Sequence, residues 1–372
     1  MKIMHVTDWA SGGVATYLET VCNAQSQKHE IYLLASEKNS EKRIVQRKNF
    51  ISLGSYSRTP KGIVSALIIT HKKLQEIQPD ILFIHSSFAG VFARFATVGL
   101  NNKPKIIYCA HGWSFLMEGN LLKQKIYQWI ELGLSAMTDT IITISENEHQ
   151  AAIKVGIDEK KLIKIDHGIS EKREKLDQNF VNSDTFKCEN NKLNILFLGR
   201  YDYQKGFDWL IDFIERNPTD NICWHSAGKP IVGKNISIPK NIVDHGWVPY
   251  ELIPQLLLRC DAIIMPSRWE GFGLTAIEAM KYAKPVIASK NGALPELVND
   301  GKNGWLFDMK NDFELKKILN QLEQNKLHEA GKVGYDIFNS KYCESQMIDK
   351  LDDLLSETLN QSNKQKNNNM ES

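Results

Sequence analysis

Short apolar runs alternate with longer amphipathic stretches along nearly the whole chain. KIMHVTD, HEIYLLA, DILFIHS, KIIYCAH, TIITIS and KLIKID each read as buried strands. Helical periodicity fills the gaps between them, for example over 13–25, 60–78 and 121–137. Strand then helix, repeated, predicts a parallel α/β sheet. After KLIKID the rhythm lapses, and the polar stretch 168–191 reads as a linker.

The pattern then restarts. LNILFLG, NICWHSAG, DAIIMPS and PVIAS are strands, with helices near 205–216, 251–259 and 273–283. Two Rossmann-like α/β domains are therefore expected, 1–167 and 192–344, facing a central cleft. Ligands in such sheets gather beyond the carboxyl ends of the strands. Residues 345–360 read as a last amphipathic helix that could pack back on the first domain. The low-complexity stretch 361–372 reads as a disordered tail.

Composition narrows the class. Among 372 residues, 42% are hydrophobic and 24% charged, which are globular values. A net charge of +2 carries no nucleic-acid signature. The charge is uneven, however: residues 1–130 carry +8 and the remainder −6. A basic first half suits an anionic partner, such as a phosphorylated acceptor or a membrane surface. Six scattered cysteines, with no CxxC, point to a reducing compartment and away from a zinc site. The N-terminal stretch lacks the form of a signal peptide, and no apolar run approaches the length of a spanning helix. The expectation is a cytosolic protein.

Three constellations sit where strands end. In TDWASGGV, Gly12 and Gly13 open a helix, a place where backbone can approach an anion. It is not GxGxxG, so a dinucleotide site is disfavoured. In LFLGRYDYQKG, Arg200 and Lys205 flank a loop before a helix, the fork and the point charge that suit a phosphate. In PSRWEGFGLTAIE, Glu270 belongs on a loop and Glu278 two turns into the next helix. Gly271 and Gly273 leave free N–H groups between the two carboxylates. Hydroxyls at both ends with phosphates in the middle describe a nucleotide sugar.

PSRWEGFGLTAIEAM resembles the E-x7-E signature of the retaining glycosyltransferases of family 4, which have the GT-B fold. GRYDYQKG is similar to that family's G-R-(x)4-K-G clamp, SGGVATYLE to its first glycine loop, and AHGW to its usual His-Gly. The resemblance spans nearly the whole chain in the right order. It implies that Glu270 holds donor-sugar hydroxyls and Glu278 the ribose. By the same resemblance, the backbone of Phe272, Gly273, Leu274 and Thr275 meets sugar and phosphates, while Arg200 and Lys205 neutralise the leaving diphosphate. His111 is implied to sit over the sugar, Gly12 and Gly13 against the diphosphate, and Gly228 and Val248 near the base. It implies no cofactor, a nucleotide-sugar donor with UDP favoured over GDP, and a glycan or lipid-linked acceptor in bacterial surface-polysaccharide synthesis.

Departures from the family pattern are Ala283 and Ala293 in place of glycine, and His167-Gly168 in place of Asn-Gly. The chain holds no D-x-D, so the fixed cations are expected to replace a metal at the diphosphate. His5, His85 and His111 fall at or near strand ends, where a buried, hydrogen-bonded histidine is the ordinary reading. The resemblance singles out only His111. Lys123 and Lys125, beside Trp113, Phe115 and Trp129, suggest either a core-facing helix or contact with an inner-leaflet membrane surface. Two rivals remain: a nucleotide-sugar epimerase of the same fold, and a silent nucleotide-sugar-binding protein, in which the clamp would be broken.

Overall fold

The computed structural model describes residues 1–54, 56–174, 192–230 and 236–370. They form two compact units, 1–168 together with the C-terminal segment from 344, and 169–343. The first unit runs β1 (Lys2–Thr7), α1 (Gly13–Gln25), β2 (Glu30–Ala35), α2 (Lys42–Val45), β3 (Phe50–Ser52), α3 (Pro60–Ile77) and β4 (Ile81–His85). It continues with α4 (Ser87–Phe95), β5 (Lys105–Cys109), α5 (Leu121–Ser135), β6 (Thr140–Thr143), α6 (Glu146–Val155) and β7 (Leu162–Lys164). Its seven strands lie in the order β3-β2-β1-β4-β5-β6-β7, and every pairing is parallel.

The second unit runs β8 (Leu193–Leu198), α7 (Phe207–Arg216), β9 (Ile222–Ala227), β10 (Ile242–Asp244), α8 (Ile253–Arg259), β11 (Ala262–Met265) and α9 (Leu274–Lys281). After these come β12 (Val286–Ser289), α10 (Leu294–Leu297), β13 (Gly304–Phe307), α11 (Asp312–Asn320) and α12 (Gln324–Lys341). The parallel sheet is ordered β10-β9-β8-β11-β12-β13. Helices on both faces of a parallel sheet bury its central strands completely, which is why these strands are near-continuous apolar runs. Ile81, Leu82, Phe83 and Ile84 of β4 are all fully buried, as are Ile263 and Ile287 of β11 and β12.

Each sheet reverses its strand order once, between β1 and β4 and between β8 and β11. At such a switch point neighbouring crossovers depart to opposite faces, leaving a crevice beyond the strand ends. The residues that follow β1, β4, β8 and β11 are therefore the ones placed for a ligand.

Three sequence expectations change here. The start of the expected linker packs on the second unit: the Ile169 N–H donates to Tyr342 O at 3.0 Å, and Arg173 lies 4.5 Å over the Tyr335 ring. The rest of that linker, 175–191, falls outside the described residues. The last helix, α13 (Glu344–Met370), continues through most of the stretch expected to be disordered. No Pro or Gly follows residue 344 to stop it. Finally, Cys22, Cys109, Cys260 and Cys343 are free and buried, whereas Cys223 is disulfide-bonded, which their scatter did not suggest.

Candidate active site

β8 ends at Leu198, and the loop that begins at Gly199 and leads to α7 carries the two expected cations. Gly206, at φ +69°, presses this loop onto the end of β11; a Cβ there would stand 1.9 Å from Pro266 O. That approach carries Lys205 across the switch point. Its Nζ lies 2.7 Å from Glu270 Oε2, which also accepts from Ser267 Oγ at 3.2 Å. Arg200 is held from behind, with Nε 3.0 Å from Asp202 Oδ2 and Nη2 donating to Gln204 Oε1 at 2.6 Å. Asp202 also accepts the Lys205 backbone N–H at 2.9 Å, so one carboxylate orders both cations.

Glu270 is braced from its other side. Ala293 N–H donates to Glu270 O at 3.0 Å, and a Cβ on Gly292 would come within 2.3 Å of the same oxygen. Only glycine at 292 lets the two loops close. Gly273, at φ +111°, turns the chain into α9, whose N-terminus no side chain caps. The first N–H groups of a helix have no intrahelical acceptor, so this end suits an anion. Phe272 is buried, Gly271, Leu274 and Thr275 are partly exposed, and Glu278 lies partly buried on α9. Burial pushes the Glu278 carboxyl up to about 7, against the pull of Lys281 and Lys205.

Gly228, after β9, donates its N–H to Gly246 O at 2.8 Å. A Cβ on Gly228 would stand 1.9 Å from Gly199 O, so its lack of a side chain keeps the loops after β8, β9 and β10 together. Val248 follows on the last of these, partly buried. The second unit thus gathers Arg200, Lys205, Glu270, Gly271, Phe272, Gly273, Leu274, Thr275 and Glu278 around one switch point, with Gly228 and Val248 on adjoining loops.

Two family models cover most of the chain. "Glycosyltransferase Family 4" matches residues 11–173, and "Glycosyl transferases group 1" matches residues 182–335. An uncharacterised 41.2 kDa protein in the cps region of Klebsiella pneumoniae is 32% identical over 363 residues, covering 94% of this chain and 97% of that relative. The chain belongs to the family 4 glycosyltransferases. A UDP-Gal:α-D-GlcNAc-diphosphoundecaprenol α-1,3-galactosyltransferase of Escherichia coli is 23% identical over 287 residues, 70% of this chain and 73% of that one. Among solved structures, Anabaena Alr3699/HepE in complex with UDP and glucose has the same GT-B fold. It matches at a TM-score of 0.80 and 18% identity, covering 96% of this chain and 99% of that one. With transferase relatives and an unbroken clamp, neither the epimerase nor the silent binding protein is favoured.

In this glycosyltransferase the expected residues of the first unit behave differently. Gly12 opens α1 at φ +57°, but its N–H donates to Glu41 Oε1 at 2.7 Å. A diphosphate would have to displace a carboxylate there, so Gly12 offers no free donor, although it and Gly13 are both exposed. His111 is engaged as well. A file of hydrogen bonds runs from Gln25 Oε1 to His5 Nε2 (2.9 Å) and from His5 Nδ1 to His85 Nε2 (3.0 Å). It continues from His85 Nδ1 to His111 Nε2 (2.9 Å) and from His111 Nδ1 to His167 Nε2 (3.2 Å). Both ring nitrogens of His111 have partners, so its ring face and backbone are what it presents to a ligand. Its φ of +53° is a left-handed conformation uncommon outside glycine. Burial drives His5 down to about 4 and His167 to about 3, with His85 and His111 also well below the usual value. The departure at His167 is therefore the end of this file.

The two alanine departures part company. Ala293 has an ordinary φ of −82° and needs no glycine. Ala283 has φ +53° just past the C-terminus of α9, where its N–H donates to Met280 O and that of Lys284 to Ala279 O. Left-handed backbone costs a residue with a Cβ about 1–2 kcal/mol. Ala283→Gly is expected to stabilise the protein by about 1 kcal/mol, after the extra freedom glycine gives the unfolded chain. Urea unfolding checks this; an unchanged or lowered midpoint contradicts it.

The aromatic stretch divides too. Trp113 and Phe115 are buried, with Trp113 N and Nε1 donating to Glu148, so neither reaches an interface. Helix α5 turns Glu131 inward, where it meets Arg94 and accepts from Tyr108 Oη at 2.8 Å. The same helix turns Leu121, Leu122, Ile126, Trp129 and Ile130 outward, with Lys123 and Lys125 among them.

Proposed function

We propose that this glycosyltransferase moves a hexose from a UDP-sugar to a lipid-linked saccharide in cell-surface polysaccharide assembly, with retention at the anomeric carbon and without a bound metal. The observation that carries the reading is the pairing of Arg200 and Lys205 with the uncapped start of α9, between Glu270 and Glu278. Fixed cations and helix N–H groups can stabilise a departing diphosphate, the task a metal performs elsewhere. The UDP and glucose of the Anabaena structure and the UDP-Gal donor of the Escherichia coli relative support the donor class. The latter's diphosphoundecaprenol acceptor and the cps locus of the Klebsiella relative support the acceptor and the pathway.

A panel of nucleotide sugars assayed with EDTA present tests this. One UDP-hexose is expected to release UDP slowly without acceptor and faster with a lipid-linked saccharide, giving a product with the donor's anomeric configuration by NMR. Turnover that vanishes with EDTA and returns with Mg²⁺ or Mn²⁺ contradicts the metal-independent assignment.

The reading places the enzyme at the cytosolic face of the membrane. No helix among the described residues is long and apolar enough to cross it. Helix α5 instead supports a peripheral contact, with lysines for headgroups and Trp129, exposed to 70%, for the interface. Each such cation contributes about 1 kcal/mol near an acidic surface, so Lys123→Glu with Lys125→Glu is expected to weaken binding to acidic vesicles well over tenfold. Equal pelleting of both proteins with acidic vesicles contradicts it.

A further inference from the structure

Beyond the donor residues, the switch point of the first sheet holds a cation that no family motif covers. Asp8 directly follows β1 and Ser86 directly follows β4, the two strands between which the order reverses. Asp8 is fully buried. Its Oδ1 accepts from Ser86 Oγ at 2.6 Å, and its Oδ2 accepts from Arg58 Nε at 2.8 Å and Tyr56 Oη at 3.4 Å. The Arg58 guanidinium lies between two rings, 5.1 Å from the Trp9 centroid and 4.5 Å from that of Phe88.

Neutralising Asp8 requires only Nε of Arg58. Neither Nη has a partner among the described residues, and the side chain is 44% exposed. Aromatic faces on the guanidinium restrict its rotation, and the carboxylate fixes the remaining torsion, so the free edge is held in one plane. Two parallel N–H donors on a rigid planar edge match the oxygens of a phosphoryl group, which a lysine at the same place contacts only as a point charge. Helix α4 begins beside it, capped by Ser86 itself, and its N-terminal end adds positive potential.

We infer that Arg58, held by Asp8 between Trp9 and Phe88, is the subsite for a phosphoryl group of the acceptor. The inference rests on the proposed lipid-linked acceptor and adds the group by which the first unit recognises it. It is distinct from the donor clamp, since every residue named here belongs to the first unit.

The test uses the full chain with saturating UDP, so that the donor site is filled, and arginine side-chain ¹⁵N resonances as the readout. Geranyl diphosphate, inorganic diphosphate and octyl glucoside are titrated separately. Geranyl diphosphate is expected to shift the Arg58 signals and to bind wild type at least tenfold more tightly than Arg58→Lys, which keeps a cation opposite Asp8 and so should keep the fold. Octyl glucoside should not distinguish the two proteins. Inorganic diphosphate binding as tightly as the prenyl form overturns the assignment to the acceptor. Silence of Arg58 toward both diphosphates, or equal affinity in Arg58→Lys with native circular dichroism, overturns the subsite. Failure of UDP itself to bind counts separately, against the proposed donor.

Discussion

Lys205→Ala is expected to lower turnover by about 100- to 1,000-fold, and Arg200→Ala by about 30-fold or more. Removing one preorganised donor from a developing anion costs roughly 2–4 kcal/mol, and each 1.4 kcal/mol is a factor of ten in rate. Lys205 belongs at the upper end of that range. Its side chain is only 18% exposed, and its removal also leaves Glu270, 10% exposed, without its cation. Arg200 is 41% exposed, and solvent screens its charge, which places it at the lower end. The loss should appear in kcat rather than in the KM for donor, because charge accumulates on the diphosphate as the bond breaks. Initial rates of UDP release from folded variants decide the matter, and wild-type rates in both rule out the clamp.

The second large effect is acid lability of the first unit. His5, His85, His111 and His167 share one buried file, and all four have folded-state values below the unfolded value of about 6.5. For a depressed group, the unfolded chain takes up a proton that the folded one refuses. The penalty is absent above about pH 6.5 and grows as pH falls toward the folded values, about 4 for His5 and about 3 for His167. Each depressed histidine removes stability as pH falls below about 6.5, at up to about 1.4 kcal/mol per pH unit, and the four act in the same direction. Urea midpoints followed by the circular dichroism of the full chain should be level from pH 8 to 7 and fall steeply below pH 6.5. A level profile down to pH 5 excludes a neutral file.

The cluster proposed for the donor was legible because its residues lie close together in sequence. Glu270 and Glu278 are separated by one glycine turn and little more than one turn of helix, not the two turns expected, and Arg200 and Lys205 share one loop, so spacing alone brings each pair close. The histidine file was not legible, because its members come from four places as far apart as His5 and His167, aligned only when β1, β4 and β5 pair in register. His5 and His85 read correctly as buried and hydrogen-bonded, whereas His111 was singled out for the sugar and proves to be bonded through both ring nitrogens; their being bonded to one another is a property of the sheet. Arg58 was hidden for the same reason, its meaning set by Asp8 fifty residues earlier and by Phe88 thirty later. Trp113 and Phe115 misled, since nothing nearby announces that Glu148 will accept both Trp113 N–H groups.

Helix α13 sets an order in time. Lys28, just beyond α1, pairs with Asp352 at 2.6 Å, and Gly168 N–H points to the Met347 sulfur at 3.2 Å, so the first unit is finished by residues translated after the whole of the second. Domains ordinarily fold as they emerge, the N-terminal one first. Here the nascent first unit must wait on the ribosome with part of α1's surroundings missing, while residues 169–343 are free to close ahead of it. The unit that begins synthesis is the last to mature, and it is also the one that carries the outward apolar face of α5.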